Sequence, residues 1–144
     1  MALDFTHSVD IDCSAAVAFA YIADFENNPA WQSGMRACRW TSARRQEVGA
    51  TYVQEARFLG RPIETSFRVT EYEPGRAIAI ESTVSTFPIQ VTRSVEPLGD
   101  ARCRVTARVR GQPTGVLKLL AGLARRSVRK DYAALKALLE RDDG

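Results

Sequence analysis

Histidine occurs once in the 144 residues, at His7. One imidazole cannot supply a histidine-based cluster of metal ligands. It also completes no Ser-His-Asp arrangement, because no recognisable nucleophile motif accompanies it. Cys13, Cys38 and Cys103 are odd in number, far apart and without a CxxC pair, so they outline neither a disulfide framework nor a zinc site. Each is expected to pack as a small hydrophobe, and no metal is expected. Glycine-rich phosphate loops and dinucleotide fingerprints are missing as well, which leaves no cofactor to assign.

No apolar stretch approaches the ~20 residues of a spanning helix, and no basic segment followed by an apolar run stands at the N-terminus. Neither stable membrane insertion nor a signal peptide is expected, and a cytoplasmic location follows by default. Net charge is only +3, and the basic residues are scattered over strand exteriors and one helix face, so no nucleic-acid partner is expected. Linkers, low-complexity tracts and internal repeats are lacking too, which predicts a single domain over residues 1–144.

What is present is a composition 45% hydrophobic, enough to bury a core without metal or disulfide help. The chain is organised around a long helix predicted from Thr114 to Glu140. Leu117, Ala121, Ala124, Val128, Tyr132, Leu135 and Leu139 recur at three- and four-residue steps and form one stripe, which Leu120 and Leu123 widen. Lys118, Arg125, Arg126, Arg129 and Lys136 collect on the opposite side and are expected in water. Asp131 alone carries charge within the apolar arc, and a strand arginine is its expected partner.

The preceding segments alternate. Phe5, His7, Val9 and Ile11 share one face of a first strand. Ser14 then offers an N-cap to a short helix with Val17, Tyr21 and Ile22 inward, and a second helical turn closes at Trp31. Six further strands follow in hairpins; the facing of the first of these, Arg36 to Thr41, is left open. A turn centred on Gly60 and Arg61 puts Gln54, Phe67, Ser82 and Ile89 in one cross-strand row, with Thr65 one level further along. The same pairing puts Glu71, Ile78 and Arg93 in another row. Successive hairpins agree on one apolar face, which also holds Tyr52, Ile80, Val84 and Val91. Short connections exclude parallel crossovers, so the class is α+β: a seven-stranded curved antiparallel sheet wrapped around a long C-terminal helix, with two short helices between strands 1 and 2.

This order resembles the helix-grip fold of the START-like or SRPBCC superfamily, and more narrowly its polyketide cyclase/dehydratase and lipid-transport type. The segments VDIDCSAAVAFAYIADFENNPAWQSG, VGATYVQEARFLG and FRVTEYEPGRAIAIES carry the likeness, which covers almost the whole chain. The resemblance implies a cavity between sheet and helix for an apolar small molecule. It brings no catalytic motif that transfers residue by residue.

The candidate ligand-binding wall is Tyr52, Gln54, Thr65, Phe67, Ile80, Ser82, Ile89 and Val91, with Leu120 and Ala124 from the helix. Gln54, Thr65 and Ser82 form a neutral hydrogen-bonding patch within it. His7, Glu71 and Arg93 are the candidate catalytic residues, with His7 as a base. Glu71 and Arg93 are expected first as an ion pair at the cavity rim, with the alternative that Arg93 clamps a carboxylate or enolate oxygen while Glu71 sets its position. The leading expectation is a protein that binds a small hydrophobic or aromatic molecule, a lipid or polyketide for example. Beside it stand a cofactor-free polyketide aromatase/cyclase or dehydratase, and a quinone-binding chaperone or ribosome-directed factor that uses Arg125, Arg126 and Arg129. Apolar surface at the sheet edge or on the capping helices would suit a homodimer.

Overall fold

The computed structural model describes residues 3–58, 60–85, 88–112 and 121–142. Strand β1 (Leu3–Ile11) leads into helix α1 (Ala15–Ile22) and a 3-10 helix (Phe25–Ala30). Strands β2 (Met35–Trp40), β3 (Thr51–Phe58), β4 (Arg61–Glu73), β5 (Ala77–Val84), β6 (Ile89–Gly99) and β7 (Arg102–Gly111) follow, and helix α2 (Ala121–Asp142) ends the chain. All neighbours pair antiparallel in the order β1-β7-β6-β5-β4-β3-β2, a curved sheet in which the chain's first strand returns beside its last.

Local chemistry accounts for these elements. The Ser14 hydroxyl accepts the Val17 N–H at 3.2 Å and starts α1. Asp24 repeats the device for the 3-10 helix, accepting from the Glu26 N–H. Gly60 and Gly75, with φ of +78° and +77°, take the left-handed angles that the hairpin turns demand. In α1 the buried residues are Ala18, Phe19 and Ile22, whereas Val17, expected inward, is exposed. The reason is that α1 lies against the β6–β7 end of the sheet, which selects a face one residue round from the one anticipated. Strand β2, whose facing was open, turns Cys38 and Trp40 inward.

The register departs from expectation at three places, one of them a shift between Ser66 and Phe67 that sets Val84 opposite Ser66. Strand β3 meets β4 with Phe58 opposite Arg61, so Gln54 faces Thr65 and Tyr52 faces Phe67. The faces are as anticipated, but the pairing is slid by one pair because the turn sits one residue earlier. Between Val69 and Glu71 a β-bulge interrupts the β4–β5 ladder: Val69 pairs with Ile80, Glu71 with Ala79, and Tyr72 with Ile78. One extra residue exchanges inside for outside, so Tyr72 takes the inward place anticipated for Glu71, and Glu71 is exposed.

Helix α2 buries Asp131, Tyr132, Leu135 and Leu139 and runs along β1. Thr114 to Leu120, its expected first residues, lie outside the described residues, and Leu120 as a wall residue with them. Lys136, expected in water, is half-buried and donates to the Asp10 carbonyl at 2.8 Å, while Glu140 accepts the Asp12 N–H at 2.9 Å. These two bonds pin the helix end to the end of β1. Leu123 is exposed instead of widening the buried stripe, and Val84 is exposed near the end of β5. Among the described residues no helix is long and apolar enough to cross a membrane.

Candidate functional site

The concave face has two regions that differ in how tightly they are filled. At one end, the 3-10 helix drives Phe25 against the sheet. Its ring stacks on Tyr52 at 4.4 Å, and Tyr52 stacks in turn on Phe67 at 5.1 Å. Trp40 meets Phe25 and Tyr52 edge-on. Its indole N–H donates to Asp24 and its backbone N–H to Glu26, so both ends of the side chain are fastened. Tyr52 and Phe67, expected as lining, are therefore core residues sealed in by the rings of Phe25 and Trp40, and Ile80, also expected as lining, is buried in the same core. Burial pushes the Tyr52 hydroxyl well above its usual range. The Cys38 thiol is pushed up to about 12 by burial as well, so it stays a packed thiol and not a nucleophile.

Elsewhere the inward register is only half covered. Phe5, His7, Gln54, Ile63, Ser82, Ile89, Val91 and Val109 point to the concave side yet keep part of their surface in solvent, as do Ala124 and Val128 on α2. Gln54 and the buried Thr65 sit opposite each other. Ser82 lies one row away, where its oxygen accepts the Ile89 N–H at 2.9 Å and the Ser85 hydroxyl at 3.0 Å. That hydroxyl fastens the β5–β6 corner, and the slid β3–β4 pairing puts Gln54, expected in the row of Ser82, in the row of Thr65 instead.

Between these regions runs the row His7, Ala107, Arg93, Ile78, Tyr72. Arg93 is 4% exposed, and none of the ion pairs among the described residues includes it. The expected Glu71 partner is lost to the bulge. Instead Nη1 donates to the Ile22 carbonyl at 2.9 Å and to Asn28 Oδ1 at 3.0 Å. The first bond supplies a donor to the end of α1, where helical carbonyls run out of partners. The guanidinium carbon lies 4.9 Å from the ring centres of both Phe25 and Trp31. Arg93 thus ties sheet, α1 and 3-10 helix together.

Tyr132 of α2 completes the group. Its ring meets Trp31 edge-on at 4.9 Å and His7 at 6.2 Å. Burial pushes the hydroxyl's pKa up, against the nearby charge of Arg93 and a hydrogen bond between the two side chains. The fold therefore brings His7 and Arg93 into one row with Tyr132 against both, and turns Glu71 away. Asn28 was missed by sequence reasoning. An Asn before proline reads as a turn former, and nothing local signals a buried acceptor for an arginine 65 residues downstream.

Asp131, expected to pair with a strand arginine, instead accepts the Ser33 N–H at 3.0 Å and its hydroxyl at 2.9 Å. Burial raises this carboxyl above its usual value near 3.8, although the Ser33 bonds favour the ionised form. Protonated in the fold and ionised in the unfolded chain across that window, the residue removes stability as pH rises from about 3.8 through its raised value. Asp131→Asn keeps an acceptor without the charge. Its Tm relative to the parent should therefore climb through this window and level off above it, while Asp131→Ala should lose about 1–3 kcal/mol at the acid end and less above the window. Parallel denaturation curves from pH 3 to 8 check this, and a constant difference for the Asn variant would contradict it. Asp4, Asp10 and Glu140 are held low by Arg108, Arg104 and Lys136, so their contributions are lost as pH falls and cancel in the comparison.

A curved antiparallel sheet closed by a C-terminal helix, with two short helices after the first strand, is the helix-grip architecture of START-like proteins. The chain belongs to the polyketide cyclase / dehydrase and lipid transport family, whose model matches residues 2–140. The Zhui aromatase/cyclase from Streptomyces sp. R1128 superimposes with a TM-score of 0.84 at 13% identity, over 100% of this chain and 97% of that one. A START superfamily protein from Mycobacterium smegmatis gives 0.75 at 19% identity, over 96% and 97%. The di-domain ARO/CYC BexL of the BE-7585A biosynthetic pathway gives 0.76 at 20%, over 93% of this chain and 45% of that one. At these identities the likeness is one of fold. No curated protein matches the sequence.

Proposed function

We propose that the chain binds a small hydrophobic or aromatic molecule between the open region of the concave face and α2. One observation carries this reading. Inward residues Phe5, Ile89, Val91 and Val109 keep partial exposure on a face whose other end is packed ring against ring. Apolar side chains left half-wet on the inner side of a curved sheet gain by covering, at about 25 cal/mol per Å² removed from water. A ligand of matching shape supplies that cover.

Native mass spectrometry on protein isolated from its own cells tests the idea. A co-purifying apolar molecule is the expected result, and Val91→Trp, which fills the open region, should displace it while leaving the Tm within a few degrees. Retention of the molecule by Val91→Trp, or an empty protein that binds no aromatic probe, sinks the reading. Cofactor-free cyclisation or dehydration is a second reading, favoured by the place of half-exposed His7 in the row of Arg93 and against the Tyr132 ring. An empty protein that converts a poly-β-keto chain, and stops doing so as His7→Ala, would support it.

A further inference from the structure

The cluster around Arg93 contains more donors than it uses. Its Nη1 serves two acceptors, but Nε–H is buried and meets no hydrogen-bond partner. Trp31, 4% exposed, leaves its indole Nε1–H in the same condition. Trp40 shows the contrast, since its indole N–H reaches Asp24 Oδ1 at 3.0 Å. The two unmet donors belong to one neighbourhood, because the Arg93 guanidinium lies 4.9 Å from the Trp31 ring centre. Buried donors without acceptors are rare in folded proteins and costly to keep.

We propose that this pair is the polar end of the binding region and receives an acceptor-only oxygen of the ligand, a ketone, enolate or carboxylate oxygen, from Arg93 Nε–H and Trp31 Nε1–H. The inference rests on the apolar-ligand reading above and adds to it the chemistry of one ligand atom. Three considerations favour an acceptor-only group over a hydroxyl. Both unmet atoms are donors, and an alcohol would bring a further hydrogen that needs its own partner. The acceptors around the guanidinium are already engaged: the Ile22 carbonyl and Asn28 Oδ1 take hydrogen bonds from Nη1, and the Tyr132 hydroxyl bonds to the same side chain. The guanidinium is buried without a carboxylate beside it among the described residues, so negative charge building on a ligand oxygen is stabilised there.

The position suits the role. Val91 lies two residues from Arg93 on the same face of β6 and is half-exposed, as is His7 in Arg93's own row. A planar ligand lying over Val91 and Val109 would carry an oxygen at its leading edge toward the Arg93 row. Hydrocarbon then meets hydrocarbon, and the oxygen meets the two unmet N–H groups.

Fluorene and 9-fluorenone test this, since the two differ by little beyond a carbonyl oxygen. The expected result is that fluorenone binds about ten-fold more tightly, as hydrogen bonds to a charged donor warrant. In proton–nitrogen correlation spectra of the full chain, fluorenone should move the Trp31 indole signal downfield and leave that of Trp40 in place, while fluorene should move neither in that way. Trp31→Phe assigns the two signals and, since Arg93 Nε–H remains, should cut the preference for fluorenone to about three-fold. If that variant fails to fold, the spectra of the unmodified protein still decide. Equal affinities with unchanged indole signals, as expected if the donors hold only water, overturn the oxygen site while leaving the apolar reading intact. Binding of neither compound overturns both.

Discussion

Arg93→Met should unfold about 3 kcal/mol more easily than the parent, on the order of 10 °C in Tm for a chain of this size. The substitution keeps much of the volume but leaves the Ile22 carbonyl and Asn28 Oδ1 buried without their donor. Each such loss costs about 1–3 kcal/mol. It also ends the stacking of the cation on Phe25 and Trp31, worth up to about 2 kcal/mol in a desolvated setting. Against these losses stands relief from a buried charge, which keeps the net below the sum. Arg93→Lys retains charge without the planar fork and should recover only part of the difference. Glu71→Gln should stay within about 0.5 kcal/mol, because that side chain is exposed. Chemical denaturation of the three variants decides the matter. A fully stable Arg93→Met beside a destabilised Glu71→Gln would restore the ion pair that the alternation of the sequence suggested.

Tyr52→Ala should cost more, about 4 kcal/mol, and flatten the near-ultraviolet circular dichroism. Tyr52 is 1% exposed and stacked on both faces, with Phe25 at 4.4 Å and Phe67 at 5.1 Å. Trp40 meets its edge at 5.7 Å. Rings held in this way cannot collapse into the space left behind without leaving their own contacts, so most of the cavity persists. Tyr52→Phe keeps the stack and should remain within about 1 kcal/mol. A cost for Tyr52→Ala below about 1 kcal/mol would mean that the capping segment is not seated on the sheet as described.

Burial of Tyr52, Phe67 and Ile80 revises the functional map as well as the stability map. A ligand wall read from alternation alone runs the full length of the concave face. The capping segment closes part of that length with Phe25 and Trp31, and β2 with Trp40, while the region left half-covered centres on Ile89, Val91 and Val109; Ala124 and Val128 of α2 are half-covered as well. Gln54 and Ser82 remain at its border, but the Ser82 oxygen is engaged within the β5–β6 corner.

Alternation within each strand was enough to identify the inner face of β1, β3, β6 and β7, because hydrophobic burial acts residue by residue with a period of two. It could not find the bulge at Thr70. The run Phe67, Arg68, Val69, Thr70, Glu71, Tyr72 reads as regular alternation until Tyr72 competes with Glu71 for the inside, and only tertiary contact settles the contest, the Tyr72 ring lying 6.0 Å from that of Phe19 on α1. The slid β3–β4 register is of the same kind, since a slip by one pair preserves both faces and leaves the pattern unchanged.

The amino-acid sequence by itself determined the order of elements, the antiparallel class, the inward side of most strands and the helix that covers them, because propensity, capping and hydrophobic period are local quantities. Tertiary structure alone decided the partners of Arg93, the seating of Phe25 on Tyr52, the bond from Ser33 to Asp131 and the division of the concave face into a sealed and an open part. Those outcomes depend on groups 27 to 98 residues apart that meet only once the sheet has curved and the capping helices have settled on it, and no short-range pattern encodes such meetings.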